Sequence, residues 1–440
     1  MMKQREIFWF WLPLFASWLL MTAEGPIVSA AINRLPNEVI MLAAQGIVVS
    51  LSVTIESPII NILATSTALV KDRASFLLMR RFTIHWMILL TAVSIAIAFT
   101  PLFDLVVRTW LGTPDDVAQW VQPGMQIMIF WSAAIAWRRF LQGILIHFNQ
   151  PRKMAWGTAV RLLTSGGTVI GMSMLTDLPG VVNGTTALMA GVIAEAIYAT
   201  IAIRPLLQNE LSETAVNLND EEPLTYRDLF WFHLPLAGTA VMVLLVQPLV
   251  TFSLARLDRP TQSLAAWPVI FQIMLMARAA ALALPEAVIA LTKGPDSYAP
   301  IRRFSLTLAA IVGLVVTLFT FSPLARLYLF GVQDMTAEVG TLAQGSLIYF
   351  LPFPALTVIG MWLRGVLING RKTTAVNVAM VVNMAVTVIV LALGLAGQRP
   401  GLPTAAVALT LAVLAEIIYL AWRAQQYLPA FATKMATRNI

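Results

Sequence analysis

Phe8-Trp9-Phe10-Trp11-Leu12-Pro13-Leu14 recurs as Phe230-Trp231-Phe232-His233-Leu234-Pro235-Leu236, a displacement of 222 residues. The same displacement carries Pro26 to Pro248, Arg34 to Arg256 and Leu42-Ala43-Ala44 to Leu264-Ala265-Ala266. It also carries Lys71 to Lys293, Arg81-Phe82 to Arg303-Phe304, Pro101 to Pro323 and Gly143 to Gly365. Near the ends, Ala194-Glu195-Ala196-Ile197-Tyr198 answers Ala415-Glu416-Ile417-Ile418-Tyr419 at a displacement of 221. One nearly constant displacement across most of a half marks an internal duplication of the kind that builds many membrane-protein folds.

Composition says what is duplicated. Of 440 residues, 58% are hydrophobic and 12% charged, with a mean hydropathy of +0.78. Soluble domains carry about 25% charge and 45–50% apolar residues, so a soluble enzyme, a disordered chain and a nucleic-acid-binding domain are all disfavoured. The absence of cysteine removes disulfides, zinc ribbons, iron–sulfur sites and thiol catalysis. The three histidines, His85, His147 and His233, stand too far apart in sequence to suggest a metal site, and none is expected. Spanning the hydrocarbon takes about 20 apolar residues, more in a tilted helix. Twelve segments meet that length, near 7–33, 39–69, 80–107, 118–146, 154–175, 185–205, 228–255, 261–291, 304–330, 337–367, 374–396 and 402–423. The expected fold is an all-α polytopic membrane protein.

The positive-inside rule orients it. With the N-terminus inside, 18 Lys and Arg residues fall on one side and six on the other (Arg34, Arg108, Arg256, Arg259, Arg326 and Arg399). Both termini are therefore expected in the cytoplasm, in a plasma membrane or bacterial inner membrane. The net charge of +7 reads as loop cations meeting anionic lipid headgroups. The longest polar stretch divides the chain nearly in half. The expected organisation is an N-lobe over 1–205, a cytoplasmic linker over 206–226, a C-lobe over 227–427 and a cytoplasmic tail over 428–440. Six spans per half is an even number, so the repeats are parallel, related by a pseudo-two-fold along the membrane normal. Two such lobes around a central cleft suit alternating access, and no selectivity-filter-like segment points to a channel.

Twelve spans in two parallel repeats, with proline-bearing first and seventh helices, resemble the multidrug and toxin extrusion (MATE) fold. Its superfamily, the multidrug/oligosaccharidyl-lipid/polysaccharide (MOP) exporters, also includes lipid-linked oligosaccharide flippases. The major facilitator superfamily shares the span count, but its Gly-x-x-x-Asp-Arg-x-Gly-Arg loop is missing, and Lys71-Asp72-Arg73 is a poor substitute. Within the MATE-like group the chain is similar to the progressive ankylosis family. That similarity runs through Glu24-Gly25-Pro26, Leu42-Ala43-Ala44-Gln45-Gly46, Ser57-Pro58 and Pro285-Glu286. It continues through Pro352-Phe353-Pro354, Gly365-Val366-Leu367, Lys372-Thr373 and Ala415-Glu416. The resemblance implies cellular export of anions such as citrate, nucleotides and pyrophosphate.

A charge at the bilayer centre costs roughly 2.5–3.5 kcal/mol on insertion scales, so it faces a cavity or a partner. The candidates are Glu24, Glu56, Arg138, Arg139, Arg161, Glu195, Arg278, Glu286, Arg364 and Glu416. Glu56 and Arg278 occupy the same position of the two repeats. They suggest a gate of opposite charges across the cleft, or else a permanent structural ion pair or a helix-packing role for each alone. Glu24 precedes Gly25-Pro26, where proline should kink the first helix, and freed carbonyls beside a carboxylate suit proton or sodium coupling. Glu286 follows Pro285 and invites the same reading. Glu195 and Glu416 recur in both repeats beside arginines of their own half, Arg161 and Arg364, as structural bracing. Gly166-Gly167 and Gly171 are expected to let helices pack closely.

The leading functional expectation is a secondary transporter exporting a small organic solute, with H+ or Na+ as the coupling ion. If the ankylosis resemblance carries over, the solute is anionic and Arg278 and Arg364 anchor it. The alternatives are a MATE-type organic-cation or drug antiporter, drawing cations to Glu24, Glu56 and Glu286, and a flippase for a lipid-linked precursor. No Walker motif, histidine pair or serine–lysine dyad supports an enzyme. No cofactor is expected, the partners are substrate, coupling ion and membrane lipid rather than nucleic acid, and a monomer is expected.

Overall fold

A computed structural model describes residues 3–148, 150–209, 211, 224–292, 294–370 and 372–425. Most of the expected linker, including Asp220-Glu221-Glu222, and the whole expected tail lie outside the described residues, as do Lys293, Arg371, Lys434 and Arg438. Among the described residues the fold is entirely helical, with twelve membrane-length segments. They are α1 (Gln4–Ile32), α2 (Glu38–Leu69), α3 (Arg73–Phe99), α4 (115–147), α5 (Pro151–Leu175) and α6 (Gly180–Asn209). The second six are α7 (Tyr226–Leu254), α8 (Pro260–Leu291), α9 (Pro295–Phe321), α10 (337–369), α11 (Thr373–Ala396) and α12 (Gly401–Gln425). Ten contain helices long and apolar enough to cross a membrane on composition alone. The other two are α4, broken by a 3₁₀ turn at Met128–Phe130, and α5, which carries Arg152, Lys153 and Arg161.

The helices break in matching places. α1 is interrupted at Ala23 and α7 at Leu245, one repeat length apart. Pro26 and Pro248 follow three residues later and offer no N–H to the carbonyls of Thr22 and Leu244, which is what proline does inside a helix. α3 and α9 stop at Phe99 and Phe321, short of the expected 107 and 330. Thr100 and Ser322 are extended, because each precedes a proline that disfavours the helical region. Their hydroxyls accept the N–H of Leu102 and Leu324 and start a short second segment that ends in a wide π-helical stretch. Left-handed backbone is duplicated as well. Asn37 (φ 60°) corresponds to Arg259 (φ 49°), and Gly112 (φ 68°) to Asp334 (φ 53°). This conformation is unfavourable for arginine, so the turn geometry persists where the residue best suited to it does not.

The chain forms two compact units, Met1–Pro26 with Arg256–Ile440, and Ile27–Ala255. This differs from a division at the polar stretch over 206–226: most of α1 belongs with α8–α12, and α7 belongs with α2–α6. Side chains explain the exchange. In the first unit, the Trp11 indole N–H donates to the Ala280 carbonyl at 3.1 Å, and Gln4 donates to the Pro300 carbonyl at 2.8 Å. Ile7 and Trp11 are buried in a core shared with Ala281, Leu284, Phe304 and Leu308. In the second unit, Asn61 of α2 donates to the Leu236 carbonyl of α7 at 2.8 Å, and His233 of α7 bonds the Pro58 carbonyl at 3.0 Å. Residues 233 and 58 are one repeat length from 11 and 280, so the two dockings are equivalent.

Close helix contact within each unit falls on another matched pair. A β-carbon on Gly143 would collide with Ser66 Oγ and the Leu63 carbonyl, and one on Gly365 would come within 2.8 Å of Val288. The α5 glycines behave differently from expectation. A β-carbon on Gly167 or Gly171 would have nothing within 4 Å, and one on Gly166 only Ile27 at 3.8 Å. These positions are open rather than packed against a neighbouring backbone.

Candidate functional site

Three intramembrane groups of polar side chains stand out, two of which are equivalent. In the unit Ile27–Ala255, Glu195 of α6 is 1% exposed. It accepts hydrogen bonds from Arg138 Nη1 at 3.0 Å and Gln142 Nε2 at 2.9 Å, both on α4, and Arg161 Nη1 of α5 lies 3.8 Å away. The Arg161 guanidinium also sits 5.6 Å from the centroid of Trp131, within cation–π range. Glu56, the last residue of α2 before its break, is buried and within electrostatic reach of Arg138, Arg139 and Arg161. Its Oε2 and the Nε of Arg139 are buried without a hydrogen-bond partner. Three guanidiniums therefore stand against two carboxylates.

In the other unit, Glu416 of α12 accepts from Arg364 Nε at 2.6 Å and from Asn383 Nδ2 at 2.8 Å. Arg278 of α8 lies with its guanidinium 4.6 Å from the centroid of Phe353 and within electrostatic reach of Arg364 and Glu416. The Nε of Arg278 is buried and makes no hydrogen bond. Here two guanidiniums stand against one carboxylate. Position by position the clusters correspond: Glu56 with Arg278, Trp131 with Phe353, Gln142 with Arg364 and Arg161 with Asn383, each at 222, and Glu195 with Glu416 at 221.

Glu56 and Arg278, which occupy the same position of the two repeats, have different surroundings. Each is engaged within its own unit: Glu56 among the arginines of α4 and α5, Arg278 on Phe353 beside Arg364. The reason lies in the duplication, since the displacement that matches their positions also supplies each with its own α4 or α10, α5 or α11, and α6 or α12. Gln142, Asn383, Trp131 and Phe353 carry no net charge and escape a search for intramembrane charges. Displacing Arg364 and Arg161 by one repeat length would have found Gln142 and Asn383.

The third group surrounds the break in α1. Glu24 is 7% exposed and opens the second segment of that helix. Gly25 leaves no room for a side chain, because a β-carbon would come within 2.9 Å of Gln272. Gln333 donates to the Pro26 carbonyl at 3.1 Å and also bonds Tyr328 Oη at 3.1 Å. A buried carboxylate, two amides and a kinked backbone are thus collected at one break. Glu286, on the second segment of α8, is exposed. Among the described residues no group of three or more His, Asp or Glu could hold a metal ion.

No family model matches the sequence, and no curated protein is similar enough to match it. Solved structures share its fold. A multidrug resistance MATE family transporter of the MOP superfamily, in an inward-facing conformation, matches with a TM-score of 0.71 at 14% identity, over 95% of this chain and 96% of that one. The lipid II flippase MurJ, in an inward closed conformation, matches with 0.70 at 13% identity, over 94% and 87%. A MOP superfamily transporter from Pyrococcus furiosus, whose reversed binding-pocket polarity suggests a different function, matches with 0.64 at 14% identity, over 96% of both chains. Likeness at this identity speaks for architecture, and it extends over nearly the whole of each chain. The chain has the fold of these MATE-like transporters.

Proposed function

We propose that this chain is a secondary active transporter that exports a small organic anion, of the citrate, nucleotide or pyrophosphate kind, by alternating access with H+ or Na+ coupling. The observation that carries the anionic reading is the surplus of guanidinium over carboxylate in both clusters, three to two and two to one. Burying a charge without a counter-charge is costly, and a surplus repeated in both units is offset by a mobile anion. Arg278 is the better anchor of the two expected, because Arg364 is already committed to Glu416. Glu56 competes with the solute for Arg139, and Glu195, Glu416 and Arg161 brace the lobes. Glu24 at the α1 break is the coupling carboxylate, with the exposed Glu286 secondary to it. The protein works as a monomer in a plasma or bacterial inner membrane with both termini cytoplasmic, and no catalytic step is part of this reading.

A second reading draws on the likeness to MurJ: the anion is then the diphosphate of a lipid-linked precursor. Thermal stability of the detergent-purified protein separates the readings, since a ligand at 100 times its Kd stabilises by about 2.7 kcal/mol. Stabilisation by citrate, ATP or pyrophosphate, lost in Arg278→Gln, is expected. Stabilisation by a polyprenyl diphosphate alone would favour the second reading. Stabilisation by organic cations alone would overturn both and favour the organic-cation or drug antiporter alternative.

A further inference from the structure

Arg278 is half-buried in α8, yet among the described residues it makes no hydrogen bond and no ion pair. Its Nε is sealed, whereas the terminal Nη1 and Nη2 are not. What holds the side chain is a ring. The guanidinium lies 4.6 Å from the centroid of Phe353, which is 4% exposed, well within cation–π range. Phe353 stands between Pro352 and Pro354 at the start of the second segment of α10, just after the 3₁₀ turn Leu347–Phe350. Proline fixes its own φ, so the backbone on both sides of the ring is restricted.

The platform is duplicated, but the way its cation is held is not. One repeat length earlier, Trp131 follows the 3₁₀ turn Met128–Phe130 and carries the Arg161 guanidinium of α5 at 5.6 Å. Arg161 also reaches Glu195 at 3.8 Å, so in that unit ring and carboxylate share one cation. In the other unit they are divided: Glu416 bonds Arg364, and Phe353 carries Arg278. The division matters for the N–H groups. A guanidinium has five N–H donors and no acceptor. A carboxylate engages donors, as Glu416 engages the Arg364 Nε–H, whereas an aromatic face attracts the charge and engages none. Arg278 is therefore held as a cation with its terminal donors unengaged, and such donors within a membrane span call for an acceptor.

We propose that Phe353 is a positioning residue of the solute site. It holds Arg278 without engaging its N–H groups, so that Nη1 and Nη2 together meet two oxygens of one acid group, a carboxylate or a phosphate. Paired N–H donors suit either group, because guanidinium binds both in a bidentate fork. With Nε sealed, the side-on approach through Nε is closed and the end-on edge remains. Phe353 also keeps Arg278 from Glu416, which lies within its electrostatic reach and already bonds Arg364. Without the ring, Arg278 turns towards that carboxylate and its donors are lost to the solute. The inference rests on the reading of Arg278 as the solute anchor, and adds the residue that sets the direction of that anchor.

Uptake of citrate and of pyrophosphate into proteoliposomes, with KM and maximal rate measured separately, tests this. Phe353→Leu should raise the KM of the transported anion about tenfold and change the maximal rate by less than about twofold. Phe353→Tyr keeps the ring and should bring KM back near its original value. Replacing Phe353 by mono-, di- and trifluorinated phenylalanine weakens the negative ring face at nearly constant size. KM should then rise stepwise in protein of unchanged melting temperature. In an Arg278→Gln background, Phe353→Leu should leave the KM of the residual uptake unchanged, as expected of residues that act through one another. An unchanged KM across the fluorinated series, or equal effects of Phe353→Leu with and without Arg278, would overturn the inference and leave Arg278 as the anchor. No anion uptake by the unmodified protein, or an original KM in Arg278→Gln, would overturn the anchor reading itself, and this inference with it.

Discussion

Arg364 donates its Nε–H to Glu416 at 2.6 Å, and in the equivalent place of the other unit a neutral Gln142 donates to Glu195 at 2.9 Å. The unit that holds Glu195 supplies the positive charge one turn earlier on the same helix, from Arg138 at 3.0 Å. The carboxylate of the last helix in each repeat is thus the fixed element, and the cations around it have been redistributed. Both arrangements keep one more guanidinium than carboxylate.

Removing a carboxylate should therefore be worse than removing its partner with it. Glu416→Gln leaves Arg364 and Arg278 without a buried counter-charge, and breaking such a pair typically costs about 3–5 kcal/mol. Thermal unfolding in detergent should show a large loss for Glu416→Gln and a smaller one for Glu416→Gln with Arg364→Gln. Additive losses would mean that the two side chains are energetically independent.

Gly143→Ala should destabilise by about 1–3 kcal/mol, the usual range for overpacking, because its β-carbon meets the Leu63 backbone as well as Ser66. Gly238→Ala, on α7 with nothing within 4 Å of the added carbon, should instead be neutral or stabilising by about 0.5–1 kcal/mol. Melting temperatures of the two variants check the sign of each. Equal effects would contradict the contact assigned to Gly143.

Glu24→Gln keeps the shape of the side chain and fixes it neutral. If Glu24 couples transport to an ion, gradient-driven uptake should fall at least tenfold while the variant folds and elutes normally. Unchanged uptake, with unchanged dependence on pH and sodium, would leave Glu24 a structural residue at the α1 break.

Asp72 caps the N-terminus of α3. It accepts the Ser75 N–H at 2.8 Å and the Ser75 hydroxyl at 2.6 Å, and these bonds hold its carboxyl below the ordinary aspartate range. A carboxyl depressed by folding contributes stability above its unfolded pKa and loses it as the pH falls through the folded value. Asp72→Ala should therefore cost about 0.5–2 kcal/mol at neutral pH, toward the lower end because the group is only partly buried and solvent screens it. The difference should fade only below about pH 4. A difference that persists undiminished in acid would assign the effect to something other than the ionised cap.

Much of the architecture was legible in the residues. The repeat of Phe8–Leu14 at Phe230–Leu236 and the spacing of apolar segments specify twelve spans in two halves, and Pro26 and Pro248 mark two of the breaks. The ends of α3 and α9 were not legible, because apolar residues continue past Thr100 and Ser322 and hide the backbone turn that each following proline imposes. The exchange of α1 and α7 between the compact units was hidden for a different reason. Hydropathy identifies an apolar face but not its neighbour, and the choice is made by single bonds such as Trp11 to Ala280 and His233 to Pro58. At the candidate site, insertion cost singled out the buried charges, and the repeat placed Arg161 beside Glu195 and Arg364 beside Glu416. Nothing in a search for charges points to the neutral partners Gln142 and Asn383. Glu56 and Arg278 look complementary in sequence, whereas packing places Glu56 within reach of Arg138, Arg139 and Arg161, and Arg278 against Phe353 beside Arg364.

The central claim is that the cationic surplus serves an anionic solute, and counterflow in proteoliposomes tests it most directly. Radiolabelled citrate, pyrophosphate and a nucleotide would be compared with an organic cation, in the unmodified protein and in Arg278→Gln. The account predicts accumulation of at least one of the anions, reduced at least tenfold by Arg278→Gln, and none of the cation. Accumulation of the cation alone, indifferent to Arg278→Gln, would contradict it.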